Sequence, residues 1–360
     1  MRRSSLPASA RTGAGILGLL ALLAATAPLL APFDPAEQLD AAESSRRPPL
    51  SSLLVVRTVD REPLLAERVT VDGDDLVLER RSGSLRVPLS SATNHGEEGI
   101  AERRRNWLGS DALGRDILSR LLHGSRVSLT IGLLAACLAL TAGTLVGSCA
   151  AIGGRFVDQA LMRTVDGLLC FPHLALVLLL AALYRPDTTL LVLLIGGTGW
   201  MGLARLVRAE LLRLKQERFA LAAAAAGRSP AGVLVRHLLP NATTPLLVDA
   251  SLRVGACILV ESALSFLGLG VQPPQPSWGS MIADGQSHLT TAWWIAAFPG
   301  LMVAAAVLGS SLLADGLSDR LAGLGDRGRV RRRSPWAIRT WLGVRAVEAK
   351  RRETQGESSW

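Results

Sequence analysis

Long runs of apolar residues with few or no charges are the feature that most constrains this chain. The first occupies residues 12–33, and further runs lie at 127–154, 168–184, 188–207, 242–271 and 289–314. A helix needs about 20 apolar residues to cross a bilayer. Because the apolar residues are grouped in this way rather than spread at a soluble period, the sequence predicts an all-α polytopic membrane protein with six transmembrane helices.

The first run has two interpretations. Arg2, Arg3 and Arg11 precede it, which is typical of a cytoplasmic N-terminus before a span. The alternative is a cleaved signal peptide, since Ala25-Thr26-Ala27 resembles a small-residue cleavage site. The length of the run favours a retained span, with residues 1–33 forming a short tail and the first helix. Under either interpretation, the segment that follows is exported across the membrane.

Residues 34–106 form the longest polar stretch. Short segments of alternating or β-branched residues are separated there by the turn signals Asp72-Gly73-Asp74 and Ser82-Gly83. We expect a small β-rich insertion outside the cytoplasm. It either packs beside a partner or is a tolerated loop insertion.

The net charge of +9 comes largely from arginines near the ends of the apolar runs. A nucleic-acid-binding protein would gather its charge on one soluble domain with interleaved aromatics, so membrane topology explains the charge better and no nucleic-acid partner is expected. The four cysteines show no metal-ligand spacing and are interpreted as packing residues, at Cys137, Cys149, Cys170 and Cys257.

Residues 205–241, here called the elbow, separate the fourth and fifth runs and hold seven Arg or Lys against two acids. So basic a loop belongs on the cytoplasmic side. Ala222 to Ala226 favour a helix that Gly227 stops, and Ser229-Pro230 begins a second helix. Pro240 is expected to close that second helix. The elbow is therefore predicted to be a helix, a sharp turn and another helix.

The spacing of Ala222-Ala223, Gly227 and Pro240 resembles the cytoplasmic "EAA" loop of the membrane subunits of ATP-binding-cassette (ABC) importers. In that family the loop inserts a coupling helix into a groove of the ATPase subunit. Leu221 stands where the signature has its glutamate, and Ala224 where an arginine is common. An ordinary amphipathic connector is the alternative. The resemblance implies an ATPase-coupling role for Phe219, Ala222, Ala223, Gly227, Arg228, Ser229, His237 and Pro240.

Motifs elsewhere in the chain are more specific. Residues 106–129 read NWLGSDALGRDILSRLLHGSRVSL, with Ser110 or Asp111 expected to cap a helix. Further on come FLGLGVQPP, PSWG, WW, FPG and ADGLSD. Both sets closely resemble the permeases for dipeptides and oligopeptides. This implies the type I ABC importer architecture, a five-helix transport domain at 107–325 and a basic cytoplasmic tail at 326–360.

The fifth run carries Asp249, Arg253 and Glu261, each costly at the centre of a bilayer. Asp249 and Arg253 are four residues apart and can pair on one helical face. We expect Glu261 near that face, so that the charged stripe meets a partner subunit or the translocation path. The alternative is a misplaced span boundary. In the third run, Pro172 predicts a kink, and His173 is interpreted as a packed side chain rather than a metal ligand.

The chain contains neither a phosphate-binding loop nor an HExxH pair, so no catalytic residue and no metal site are predicted. The resemblance implies a membrane subunit of an ATP-driven importer for peptides or similar small solutes, in the bacterial inner membrane with both termini cytoplasmic. Its partners would be a second homologous permease, two ATPase subunits that hold ATP and magnesium, an extracytoplasmic solute-binding protein and the lipid bilayer. No cofactor would bind this chain. The alternative is a stand-alone secondary transporter, which would need inverted repeats with broken helices.

Overall fold

The structure, a computed structural model, describes residues 7–58, 63–92, 101–184 and 187–325. The helices of these residues are α1 (Ala8–Ala25), α2 (Ala27–Leu30), α3 (Ala41–Ser44), α4 (Ile117–Ile152), α5 (Gly154–Leu169), α6 (His173–Tyr184), α7 (Thr188–Lys215), α8 (Arg218–Ala225), α9 (Pro230–Val233), α10 (Leu239–Phe266), α11 (Trp278–Gln286) and α12 (Trp294–Gly325). The strands are β1 (Ser51–Val56), β2 (Leu64–Ala66), β3 (Arg68–Asp72), β4 (Asp75–Arg80), β5 (Gly83–Pro88) and β6 (Glu102–Asn106).

Four helices of the described residues are long and apolar enough to cross a membrane, namely α1, α4, α7 and α12. A fifth span results if α5 and α6, which are bent by 77° at their junction, count as one. Helix α10, which carries Asp249, Arg253 and Glu261, is not among these candidates. The six predicted spans are therefore recovered only in part.

Helix α4 begins ten residues before the predicted start of the second span at Val127. Its N-cap is Asp116, whose carboxylate accepts a hydrogen bond from the Ser119 N–H at 2.8 Å. The prediction that Ser110 or Asp111 caps this helix is wrong. Asp111 Oδ1 instead accepts from the N–H groups of Leu113 and Arg115, both at 2.9 Å, and closes the turn that precedes the helix.

Residues 155–166, which separate the second and third apolar runs, are helical, because they lie within α5. The chain turns sharply between α4 and α5 at Gly154, whose φ of +77° suits glycine. Pro172 does more than kink the third predicted span. It separates α5 from α6, since a proline offers no N–H to continue the helical ladder. The sequence Arg185-Pro186-Asp187 predicts a turn between the third and fourth apolar runs, but residues 185 and 186 lie outside the described residues.

The prediction that Pro240 closes the second helix of the elbow is also wrong. Short helix α9 leads through a π-helical turn, Leu234–Leu238, directly into α10, where Pro240 is the second residue. Proline has no N–H, but the N–H groups in the first turn of an α-helix have no intrahelical acceptor in any case. The wider π-helical turn before Pro240 accommodates the missing hydrogen bond. Similarly, α12 continues past Asp315-Gly316, although the last apolar run ends at residue 314. The segment at 265–285, which holds the FLGLGVQPP and PSWG motifs, contains most of α11, which Ser277 caps.

Glycines bring α4 and α7 into close contact. A Cβ at Gly147 of α4 would lie 2.5 Å from the Ala204 carbonyl oxygen of α7, and one at Gly196 would lie 2.7 Å from the Ala135 carbonyl oxygen. Helix α10 packs on the same pair, so that Ile131, Ile195 and Leu264 share one apolar core. The backbones of α4 and α7, in the predicted transport domain, are therefore in close contact at these glycines.

The six strands form two three-stranded antiparallel sheets, in the orders β2-β1-β6 and β3-β4-β5. Val56, Leu76 and Leu78 are fully buried in one core that joins the two sheets. Backbone hydrogen bonds connect this β element to the segment before α4, because Arg46 donates to the Asp111 carbonyl at 2.8 Å and Ser110 donates to the Arg47 carbonyl at 3.0 Å. The β element is thus fastened to the transport helices.

Candidate functional site

The elbow has the predicted helix, turn and capped second helix. Helix α8 ends at Ala225, and Gly227 takes a φ of +80° with no atom within 4 Å of where a Cβ would be. Ser229 then caps α9, since its side chain accepts a hydrogen bond from the Gly232 N–H at 3.2 Å. Pro230 occupies the first helical position. These local features follow from residue types that the sequence alone displays.

The elbow is fixed to the membrane helices on one side only. Ala220 of α8 is buried, and it belongs to an apolar cluster with Leu211 and Leu214 of α7 and with Leu238 and Ala242 at the start of α10. Lys215 Nζ also donates to the Ala151 carbonyl at the end of α4, at 3.1 Å. The elbow therefore packs against α7 and the start of α10, and the Lys215 hydrogen bond joins it to the end of α4.

The other side of the elbow faces outward. Phe219 and Leu221 are 38% and 57% exposed. Of the eight residues predicted for this site, six are exposed and two, Ala223 and His237, are partly exposed. His237 Nε2 is buried and has no hydrogen-bond partner among the described residues. The surface that the sequence assigned to a partner is thus free within this chain.

The charged residues of α10 separate into two groups. The predicted pair is confirmed, because Arg253 donates from Nε and Nη2 to Asp249 Oδ2 at 3.0 and 2.8 Å. Arg253 Nη1 donates to the Gly199 carbonyl of α7 at 2.6 Å. Glu261 lies apart, since eight residues rotate it by about 80° around the helix.

Glu261 is fully buried within the chain, where it accepts hydrogen bonds from Ser128 of α4 at 3.0 Å and from Ser265 at 2.8 Å. The prediction that Glu261 faces a partner or the translocation path together with Asp249 and Arg253 is therefore wrong. The hydroxyl groups that satisfy Glu261 come partly from another helix, which no spacing along α10 reveals.

A cavity of about 240 Å³ lies between the α5–α6 junction, α7 and α10. Arg253 lines it, as do His173 and Thr198, whose Nε2 and Oγ1 atoms are 3.1 Å apart. Sequence reasoning missed Thr198. The signal was a hydroxyl residue within the glycine-rich GGTGWMG of an apolar run. No cluster of His, Cys, Asp or Glu in the described part of the chain could hold a metal.

A second buried polar network joins the start of α4 to α11. Asp111 accepts from Arg115 Nε at 2.6 Å and from Arg120. Asp284 Oδ2 lies 3.1 Å from Nη2 of both arginines. Sequence reasoning missed Asp284, because it lies 169 residues beyond Arg115.

Apolar helices that enclose a charged cavity, with a basic helical elbow at one end, define the membrane component of a transport system. A family model described as "Binding-protein-dependent transport system inner membrane component" matches residues 140–323. Another, the "N-terminal TM domain of oligopeptide transport permease C", matches residues 8–49. The chain therefore belongs to the family of binding-protein-dependent transport system inner membrane components.

Curated relatives agree with this assignment. The chain is 36% identical over 240 residues to the dipeptide transport system permease protein DppC of Alkalihalophilus pseudofirmus, covering 65% of this chain and 79% of the relative. It is 37% identical over 216 residues to the oligopeptide transport system permease protein OppC of Haemophilus influenzae, covering 60% and 70%. A solved chain of the MetNI methionine ABC transporter, in an inward-facing conformation, matches with a TM-score of 0.45 and 17% identity over 57% of this chain and 96% of that one.

The family expected from the resemblance is thus confirmed, as is a multi-pass protein of the inner membrane. The chain is a transport component rather than an enzyme. The relatives are named as permease proteins of transport systems, which does not favour a stand-alone secondary transporter.

Proposed function

We propose that this chain is one of two homologous membrane subunits of an ATP-driven importer for peptides or similar small solutes. The relatives named as dipeptide and oligopeptide permeases support the substrate class. A solute-binding protein delivers the solute from outside. Two ATPase subunits hold ATP and magnesium, so this chain binds no cofactor and contacts the lipid bilayer but no nucleic acid.

The elbow is the ATPase-coupling element in this proposal. The observation that carries it is the one-sided burial of α8, which buries Ala220 against the membrane helices and leaves Phe219 and Leu221 exposed. A groove that grips the exposed face moves α8 as a rigid body when the ATPases close. Because the buried face is packed on α7 and α10, that motion reaches the helices that line the cavity.

Leu221 modifies this contact. It stands where the related signature has a glutamate, and more than half of its surface is exposed. An apolar side chain at this position cannot accept a hydrogen bond, so we expect it to bury against apolar residues of the ATPase groove.

The elbow proposal predicts protection of α8 by the ATPase. In a chain whose four cysteines are replaced by serine, we would introduce Leu221→Cys or, as a control, Leu289→Cys, whose native side chain is 55% exposed near α12. Maleimide labelling at position 221 should fall when ATPase subunits are bound, and labelling at 289 should not change. Equal labelling of position 221 with and without ATPase would contradict this role and would mean that the elbow only connects two helices.

The transport proposal is tested by reconstitution. The chain, its partner permease and the ATPase subunits are placed in proteoliposomes, and uptake of a radiolabelled dipeptide is measured. We expect uptake to require ATP, the ATPases and the binding protein. Uptake by the chain alone, without ATPase subunits, would overturn the proposal in favour of a secondary transporter.

We further propose that both termini are cytoplasmic and that residues 34–106 are outside. The basic N-terminus and the basic elbow support this orientation. Asp74→Cys, in the exposed turn between β3 and β4, should react with an impermeant reagent in intact cells. Labelling that requires lysis would reverse the topology.

A further inference from the structure

The cavity beside Arg253 has a size suited to one end of a small solute. Its volume of about 240 Å³ is below the roughly 300–1,000 Å³ of pockets that enclose drug-sized ligands. Its walls come from the α5–α6 junction, from α7 and from α10. Interrupted helices in transporters tend to occur where the backbone lines a binding cavity, so the position of the junction points to a ligand.

The charge presented to this cavity is positive. Arg253 is one of the lining residues, whereas Asp249, its ion-pair partner, is not. Three N–H groups of the guanidinium are taken by Asp249 and by the Gly199 carbonyl. A guanidinium has five N–H donors, so one remains on each terminal nitrogen. Two such donors suit a bidentate carboxylate.

His173 adds a second polar contact. The Thr198 hydroxyl donates to the Leu194 carbonyl at 2.6 Å, so its oxygen accepts from His173 Nε2. We assign the Nε2–H tautomer from this bond, and it leaves Nδ1 of the neutral ring as an acceptor. Such an acceptor suits a peptide N–H close to the carboxylate.

The rest of the lining is apolar. Leu176, Ile195, Met201 and Val260 can contact a side chain without selecting its polarity. The cavity therefore combines fixed polar groups with unselective apolar walls. Such a cavity is suited to bind the end of a peptide without selecting its amino-acid sequence.

We propose that this cavity is a subsite within the membrane for the terminal carboxylate of a short peptide, with Arg253 as the carboxylate ligand and His173 as a neighbouring acceptor. Asp249 positions the guanidinium, and Glu261 takes no part. The inference rests on the proposed function, because it names the group by which the transported solute is held between the binding protein and the cytoplasm.

The test uses the assembled complex in nanodiscs without the binding protein, which would otherwise select the carboxylate first. The probe is alanyl-photoleucine, and adducts on lining residues such as Met201 are located by mass spectrometry. Excess Ala-Ala should suppress the adducts at least about tenfold more effectively than its C-terminal amide, as expected for losing hydrogen bonds to a charged group. This comparison needs only the native chain.

The paired variant Asp249→Asn/Arg253→Gln removes both charges and keeps two polar side chains, and it should abolish the preference for the free carboxylate. The matched control Asp158→Asn/Arg208→Gln neutralises an ion pair between α5 and α7 whose members do not line the cavity. It should keep the preference. Co-purification of the ATPase subunits checks that both variants assemble.

Equal competition by peptide and amide in the native complex would overturn the subsite, even if ATP-dependent uptake in proteoliposomes upholds the proposed function. So would an unchanged preference in Asp249→Asn/Arg253→Gln. Nanodiscs with and without anionic lipid should give the same adducts. Loss of the adducts only with anionic lipid would assign the cavity to a lipid headgroup instead.

Discussion

Ser128 on α4 donates its hydroxyl hydrogen to Glu261 Oε2 on α10 across 3.0 Å. The same hydroxyl oxygen accepts the backbone N–H of Trp278 at the start of α11, at 3.2 Å. Ser265 completes the set by donating to Glu261 Oε1. The buried carboxyl group and the Ser128 hydroxyl that binds it therefore link α4, α10 and α11.

We predict that Glu261→Leu destabilises the chain on the order of 1–3 kcal/mol, because buried hydroxyl donors lose their acceptor. Glu261→Gln should stay much closer to the native stability, since its amide oxygen still accepts. The measurement is the thermal unfolding midpoint in nanodiscs, with Glu79→Leu on an exposed side chain as the control. If Gln destabilises as much as Leu, the loss of hydrogen-bond acceptors does not explain the contribution of Glu261.

The second prediction concerns Gly227. A β-branched residue at a φ of +80° should cost on the order of 1–3 kcal/mol of local strain. Because nothing lies within 4 Å of the missing Cβ, the damage is conformational rather than steric. We expect Gly227→Val to assemble with its partner permease and to weaken ATPase docking or uncouple ATP hydrolysis from uptake, whereas Gly227→Asn should be milder.

Gly73→Val is the matched control for this variant. Gly73 lies in the turn between β3 and β4, has a φ of +63° and has no atom near its missing Cβ, so it imposes the same kind of strain away from the elbow. Hydrolysis, uptake and pull-down of the ATPase should be normal in this control. Normal coupling in Gly227→Val would refute the assigned role of the elbow.

The third prediction compares two aspartates that bind the same arginines. The Asp111 side chain is 1% exposed and that of Asp284 is 40% exposed, and each lies beside Arg115 and Arg120. Asp111→Asn removes a negative charge that compensates two buried guanidinium groups. It should lower the free energy of unfolding by about 3–5 kcal/mol. Asp284→Asn should cost about 1 kcal/mol or less, because solvent screens its charge.

Unfolding midpoints of the two variants, measured side by side, check the ranking. Each variant serves as the control for the other, since both lose one carboxylate from the same network. Equal losses would mean that exposure does not set the strength of these ion pairs.

The fourth prediction concerns pH and the β element. Burial by itself would raise the pKa of Glu43, but the hydrogen bonds from the Ser82 hydroxyl and the Arg81 and Ser82 N–H groups, with the charge of Arg80, outweigh it and hold the pKa below its usual value. A lowered pKa in the folded state means that ionised Glu43 stabilises the fold above the pKa of the unfolded chain. That contribution disappears as the pH falls through the folded-state pKa.

We therefore expect Glu43→Gln to expose the backbone of residues 79–84 to faster hydrogen exchange at neutral pH. The difference from the native chain should shrink as the pH falls below about 4.5, the usual pKa of a glutamate side chain. Exchange rates corrected for the intrinsic effect of pH provide the measurement. Glu79→Gln, on an exposed neighbour, should show no such dependence, and a pH-independent difference for Glu43→Gln would contradict the assignment.

Local signals in the sequence were sufficient for the elbow as far as the cap of α9. The helix of alanines, the turn at Gly227 and the cap at Ser229 depend on backbone preferences within a few residues, and all are present. The pairing of Asp249 with Arg253 is likewise fixed by a spacing of four on one helix. The family, too, followed from short motifs.

Tertiary structure decided the rest, because the deciding partners lie far along the chain. Asp111 is a plausible cap by sequence, yet the turn and two arginines take its carboxylate, and the neighbouring Asp116 caps α4 instead. By sequence, Glu261 is one of three charged residues on one predicted span. In the structure its carboxyl group accepts a hydrogen bond from Ser128, which lies 133 residues away. By sequence, Pro240 is expected to end a helix. In the structure the π-helical turn before it accommodates the missing N–H, and the helix continues. Spacing along one helix fixes which residues share a face, but only the packing of helices fixes what each face meets.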